Sequence, residues 1–99
     1  MVTNNLLIRL KQRDKNNIIK AKTVLQKLKG NIPVLLDSNV KTDIRASKSG
    51  YDIMLINTFA SPEDMQIYLD HPVHIEVSAY IIASMEASAS FCYESDSDN

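Results

Sequence analysis

The apolar residues of this chain change their spacing several times along its length, and the order of those changes admits few folds. Leu6, Ile8 and Leu10 alternate with Leu7, Arg9 and Lys11, the period-two pattern of a half-buried strand. Gln12 to Lys15 is polar and reads as a loop, with Asp14 or Asn16 placed to cap the next element. From Asn17 to Lys29 the period is helical. At about 100° per residue, Ile18, Ala21, Val24, Leu25 and Leu28 gather in one sector. Lys15, Lys22 and Lys29 border that sector on one side, and Lys20 and Lys27 on the other. Their stems can cover apolar surface while the ammonium groups stay in water. Gly30 suits a helix C-terminal cap, and Pro33 stops any continuation.

The period then returns to two. Val34, Leu36, Val40 and Ile44 face Asp37, Asn39, Lys41 and Asp43, which predicts a second strand over 34–44 with one wet face. A polar turn follows over 45–50, and Tyr51 to Phe59 reads as a third strand. Tyr51, Ile53, Leu55 and Phe59 line one face and Met54 and Ile56 the other, so a strand covered on both sides is expected. Ser61-Pro62-Glu63-Asp64 is a helix start, with Ser as N-cap, Pro in the first turn and acids near the positive end of the dipole. That helix runs to about Asp70, where His71-Pro72 interrupts it, because proline disfavours helical geometry in the residue before it. A second helical piece extends from Pro72 to about Glu86. Ala87 to Glu94 alternates again and predicts a fourth strand.

The resulting order is β-α-β-β-α-β, an α+β, ferredoxin-like arrangement of an antiparallel four-stranded sheet with the helices on one face. Its consequence is physical. Leu7, Met54 and Ile56 fall on the face away from the helices, and no further element remains to cover them. Pairing of two such sheets is the economical solution, since exposed apolar patches of that size mark interfaces.

A chain of 99 residues suits one domain, read as residues 1–94 with an acidic flexible tail at 95–99. No apolar run approaches the roughly 20 residues of a membrane span, and the first residues lack a signal-peptide layout. A single cysteine, Cys92, cannot form an internal disulfide; a cytoplasmic location and an inert, half-buried thiol are expected. The net charge of −1 hides an uneven distribution: all 11 Lys and Arg residues lie between Arg9 and Lys48. With three carboxylates that half carries +8, and the remainder, with nine carboxylates and no base, carries −9. In the order above the halves interleave across the sheet, so part of this asymmetry is expected to cancel locally. The lysines form no dense exposed stripe, and no aromatic residue lies between Met1 and Gly50 to stack a base. Neither nucleic acid nor membrane is expected as a partner.

Two residues lead as site candidates. On the helical projection His74 falls with Val77, Ile81 and Met85 and so faces inward. Imidazole titrates near pH 6.5 in water, which makes such a residue an acid/base candidate, the ordinary alternative being a core His satisfied by its neighbours. Tyr68, on the preceding helical piece, could orient a ligand through its hydroxyl or simply build an amphipathic wall. His71 and His74 form an H-x-x-H pair, but Pro72 alters its geometry and no third His exists. With no carboxylate cluster and only two glycines, neither a metal, a phosphate loop nor another cofactor is predicted.

Gly50-Tyr51-Asp52-Ile53-Met54-Leu55, Phe59 and then Ser61 to Ile75, above all Tyr68-Leu69-Asp70-His71-Pro72-Val73-His74, resemble the stress-responsive dimeric α/β-barrel family. The likeness extends over nearly the whole chain, from the Leu/Ile-rich first strand to Tyr93-Glu94. It implies a homodimer in which two ferredoxin-like sheets close one barrel, with a small apolar or aromatic ligand held near Tyr68 and His74. A polyketide-cyclising member of the family uses a His and a Tyr that match His74 and Tyr68, together with a His on the first strand. Here that strand position is Asn4, which can hold a hydrogen bond but cannot exchange a proton near neutral pH. The resemblance therefore implies ligand binding by Asn4, Tyr68 and His74. The enzymatic alternative is catalysis by His74 with Tyr68, cyclase-like or resembling a cofactor-free oxygenase.

Overall fold

In the computed structural model, which describes residues 1–45 and 48–95, β1 (Val2–Leu10) leads into α1 (Lys15–Leu25), prolonged by a 3-10 turn at Gln26–Leu28. There follow β2 (Asp37–Thr42), β3 (Ile53–Phe59), α2 (Pro62–Asp70), α3 (Pro72–Ser84) and β4 (Met85–Glu94). The four strands form one antiparallel sheet in the order β2-β3-β1-β4, the ferredoxin-like topology expected from the sequence. Register runs from Val2 opposite Phe59 to Ile8 opposite Ile53, and from Val2 opposite Glu94 to Arg9 opposite Ala87, with an irregularity between Arg9 and Leu10.

Alternation explains the core. Ile8 and Leu10 of β1 and Ile53, Leu55 and Phe59 of β3 are buried on the helix side. They meet Ala21 and Leu25 of α1, Leu28 of the turn, Tyr68 of α2, and Val77 and Ile81 of α3. Burying each of the large aliphatic or aromatic side chains is worth roughly 1.5–3 kcal/mol, so this layer dominates the stability of so small a chain. Asp14 is the cap of α1, its carboxylate accepting the Asn17 N–H at 3.3 Å. Gly30 supplies the left-handed residue after the turn, at φ 81°.

Asp52 ties the ends of the sheet together. It is 5% exposed, accepts the Leu10 N–H at 2.9 Å and receives the Arg13 Nε at 3.0 Å. Its own backbone N–H donates to the Ile8 carbonyl, and its carbonyl accepts from Asp43. Arg9 adds a clasp, donating to Glu86 and to the carbonyls of Gly50 and Lys48. The Arg9–Glu86 and Arg13–Asp52 pairs join the basic and acidic halves of the sequence, whereas Lys29–Asp37 and Arg45–Asp43 stay within the basic half. Part of the charge asymmetry thus cancels locally, as interleaving predicts.

Several expectations need correction. The second strand is shorter than 34–44, and its apolar series is misassigned. Leu35 is buried, whereas Leu36 is exposed and Ile44 is 97% exposed. Period two holds only within a paired strand. Before Asp37 the chain turns, with the Leu35 N–H on the Ile32 carbonyl, and Ile44 lies beyond the last paired residue, Thr42. Inside the strand, Ser38 and half-buried Val40 face the core. The first helix ends four residues before Lys29, finishing in the tighter 3-10 turn, and α3 yields to β4 at Met85 instead of continuing to Glu86. Cys92 is exposed, not half-buried, because β4 is an edge strand. Of the tail expected over 95–99, Ser95 donates its N–H to the Met1 carbonyl at 2.8 Å, and the rest lies outside the described residues, as do 46 and 47 of the turn over 45–50.

Candidate functional site

The break between α2 and α3 builds the site. Ser61 caps α2 through the Asp64 N–H at 3.1 Å. At the far end Pro72 forces His71 out of helical geometry, to φ −72° and ψ 137°, and His71 then caps α3 by accepting the Val73 N–H on Nδ1. The turn brings His74 back beneath the end of α2, with Nδ1 3.0 Å from the Leu69 carbonyl. A carbonyl can only accept. Nδ1 must therefore carry the hydrogen, which leaves the Nε2 lone pair of the neutral ring as the basic site.

Tyr68 stands between this ring and the sheet. Its ring centroid lies 4.5 Å from that of His74 and 5.0 Å from that of Phe59, both at tilted angles. Asn57 of β3 donates from Nδ2 to the Tyr68 hydroxyl at 3.0 Å. Burial pushes the Tyr68 phenol up to about 12, against the opposing influence of the Asn57 hydrogen bond, so it stays neutral throughout the physiological range.

These two side chains close one side of a cavity of about 100 Å³ between the sheet and α1 and α3. Leu6, Leu25, Leu55, Val77, Ile81 and Met85 make the wall largely apolar, and Ser78 and Ser88 add hydroxyls. A larger hollow of about 380 Å³ opens elsewhere, on the outer sheet face by Leu7, Tyr51 and Met54. It contains neither ring.

Of the three residues singled out in the sequence, Tyr68 and His74 meet at the cavity. Asn4 does not line it. It lies on the same inner face of the sheet, directly opposite Asn57 on β3 and Cys92 on β4, while Ser38 of β2 opposes Asn57 on the other side. A polar row thus crosses the sheet among apolar ones. Asn57, 1% exposed and with no hydrogen-bond partner for Oδ1, is its most buried member and escaped sequence reasoning. Its signal was a gap: position 57 is the polar interruption in the series Ile53, Leu55, Phe59, as Ser38 is on β2.

The Nδ1 atoms of His71 and His74 are each committed to backbone, which leaves only Nε2 of each ring. Among the described residues no three His, Cys, Asp or Glu side chains gather closely enough to hold a metal. No helix there is long and apolar enough to cross a membrane.

The fold, the sheet with one bare face and the Tyr-His pair over a small cavity define a class. The chain belongs to the stress responsive A/B barrel domain family, whose model matches residues 2–95. Among solved structures it is similar to an Arabidopsis thaliana protein, at 22% identity over 98% of this chain and 97% of that one, with a TM-score of 0.83. It is similar as well to a dimeric ferredoxin-like protein of unknown function from Thermobifida fusca, at 20% identity, coverages of 95% and 90%, and a TM-score of 0.82. A hydroxynitrile lyase from Passiflora edulis shares the fold at 17% identity, with coverages of 97% and 94% and a TM-score of 0.81. No curated protein matches the sequence.

Proposed function

We propose that this chain acts as a homodimer that holds a small, largely apolar ligand in the cavity beside Tyr68 and His74, one per subunit. The cavity carries the reading: about 100 Å³ of space, walled by aliphatic side chains, with an imidazole and a phenol at one side. Small-molecule sites have this character, an apolar lining with a few placed polar groups. The volume is about two-thirds of the roughly 150 Å³ that accepts benzene, so the occupant seats no more than one ring and extends through the cavity's open side.

Dimerisation is supported by the outer sheet face. Leu7, Met54 and Ile56 lie there beside Phe91 and Tyr93, which are 69% and 44% exposed with ring centroids 6.1 Å apart. Leaving such a face in water forfeits apolar burial at about 25 cal/mol per Å². The Thermobifida fusca relative is dimeric. A cytoplasmic location is part of the same proposal.

The test is titration of the protein with ethylbenzene, followed through the methyl and imidazole resonances of the cavity wall. Saturable shifts at Leu55, Val77 and His74 are expected, and Ser78→Leu, which fills the space, should abolish them. A titration that leaves the wild-type resonances unmoved refutes the reading.

One observation favours catalysis as a second reading. The Leu69 carbonyl fixes the His74 tautomer so that Nε2 is the base, the arrangement a general base requires. Asn4 supplies no second proton-transfer group on the strand, so a one-base reaction fits better than a two-histidine one. His74→Gln retains much of the shape; loss of turnover with an intact fold would support the enzyme, and unchanged turnover would exclude it.

A further inference from the structure

The polar groups behind the cavity are arranged in a directional way. Asn57 is buried on the central strand β3, and its Nδ2 donates to the Tyr68 hydroxyl at 3.0 Å. A hydroxyl has one hydrogen and two acceptor lone pairs. With one lone pair taken by Asn57, the hydrogen of Tyr68 is left to donate, and among the described residues the hydroxyl makes no other hydrogen bond. Tyr68 lines the cavity, whereas Asn57 does not. Asn57 Oδ1, also unpaired, cannot draw that hydrogen back while its amide presents Nδ2 to the phenol.

We propose that Asn57 is a positioning residue that turns the Tyr68 hydroxyl into a hydrogen-bond donor toward the cavity, so that the ligand selected there carries an acceptor oxygen, a carbonyl above all, on an otherwise apolar frame. This rests on the ligand-binding reading and adds to it the chemical class of the ligand. A strand position that could hold valine at no polar cost instead holds a buried carboxamide. An unsatisfied buried polar atom destabilises a fold, so the group is best explained by what its other end does. The phenol's neutrality fits the same role, because only the neutral form can donate.

The decisive comparison uses two probes of nearly equal shape, acetophenone and ethylbenzene, titrated by NMR into wild type, Tyr68→Phe and Asn57→Val. Removing a donor from a buried acceptor is expected to cost about tenfold in affinity. Tyr68→Phe should therefore weaken acetophenone by about tenfold and leave ethylbenzene within about twofold. Asn57→Val, which frees the hydroxyl to rotate but keeps it, should weaken acetophenone by a smaller factor, again without touching ethylbenzene. Asn57→Asp inverts the design, because an ionised carboxylate would accept the Tyr68 hydrogen; the acetophenone advantage should vanish while ethylbenzene binding persists. If Tyr68→Phe leaves the ratio of the two affinities unchanged, the inference is overturned, and Tyr68→Phe decides this even should the Asn57 variants fold poorly. Binding of ethylbenzene by wild type with no acetophenone advantage lost in Tyr68→Phe refutes the donor alone. Failure of both probes refutes the cavity reading itself.

Discussion

Asp52 is the residue whose loss the structure makes most costly for its size. Its carboxylate satisfies the buried Leu10 N–H at 2.9 Å and holds the Arg13 Nε at 3.0 Å, at the point where β1, β3 and the approach to α1 converge. Asp52→Ala strands the Leu10 N–H away from water, at about 1–3 kcal/mol. It also removes a charge-assisted bond worth about 1.5–3 kcal/mol, to be discounted because 24% of the Arg13 side chain reaches solvent. The two together give about 3 kcal/mol, a large share of the 5–15 kcal/mol that ordinarily stabilises a domain. Asp52→Asn keeps one acceptor oxygen and should cost about half as much. Urea unfolding followed by circular dichroism measures this, at one fixed protein concentration because dimerisation would link stability to concentration. With an m value of about 1.5 kcal/mol/M, the Asp52→Ala midpoint should fall by about 2 M at unchanged slope. Arg13→Ala should then cost less in the Asp52→Ala background than in wild type. A midpoint within about 0.3 M of wild type would show that water replaces both contacts, and the junction would not be the anchor described.

Other consequences are as direct. Tyr68 is one of four tyrosines, and its phenol is pushed up to about 12 by burial. In the unfolded chain it ionises near 10, so the folded state holds the proton longer; stability present below pH 10 should decline from pH 10 toward 12, by about 2–3 kcal/mol if the fold survives. Absorbance at alkaline pH should show its ionisation as a late step that Tyr68→Phe removes. Ser61→Ala deletes the oxygen that accepts the Asp64 N–H and should lower stability by about 1 kcal/mol in the same urea assay. Phe91→Asp places a charge on the bare sheet face and should shift light-scattering mass from dimer toward monomer at micromolar concentration, with the helical circular dichroism signal retained. An unaltered dimer would place the interface elsewhere.

Periodicity, capping residues and the Pro72 break made the order and type of the strands and α-helices legible, because local propensity and the buried face agreed over most of their length. That Tyr68 and His74 would come together was legible for a related reason: each lies on the inward side of its helix, and the His71-Pro72 turn between them has strong local rules. What misled was the end of a pattern. Leu36 and Ile44 continue the apolar spacing of β2 past the residues that pair, and spacing alone does not say where pairing stops. Asp52, named only within a motif, drew its importance from Arg13 and Leu10, about forty residues away.

The sequence by itself determined the order of elements, their inward faces and the pairing of a tyrosine with a histidine around a helix break, since these follow from contacts within a few residues. Tertiary structure alone decided that Asn4, Asn57 and Ser38 share one row across three strands, that the Leu69 carbonyl selects the His74 tautomer, and that the Asn57 amide donates to the Tyr68 hydroxyl. Register between strands distant in sequence depends on how whole faces pack, and the direction of a buried hydrogen bond depends on which partner the fold delivers.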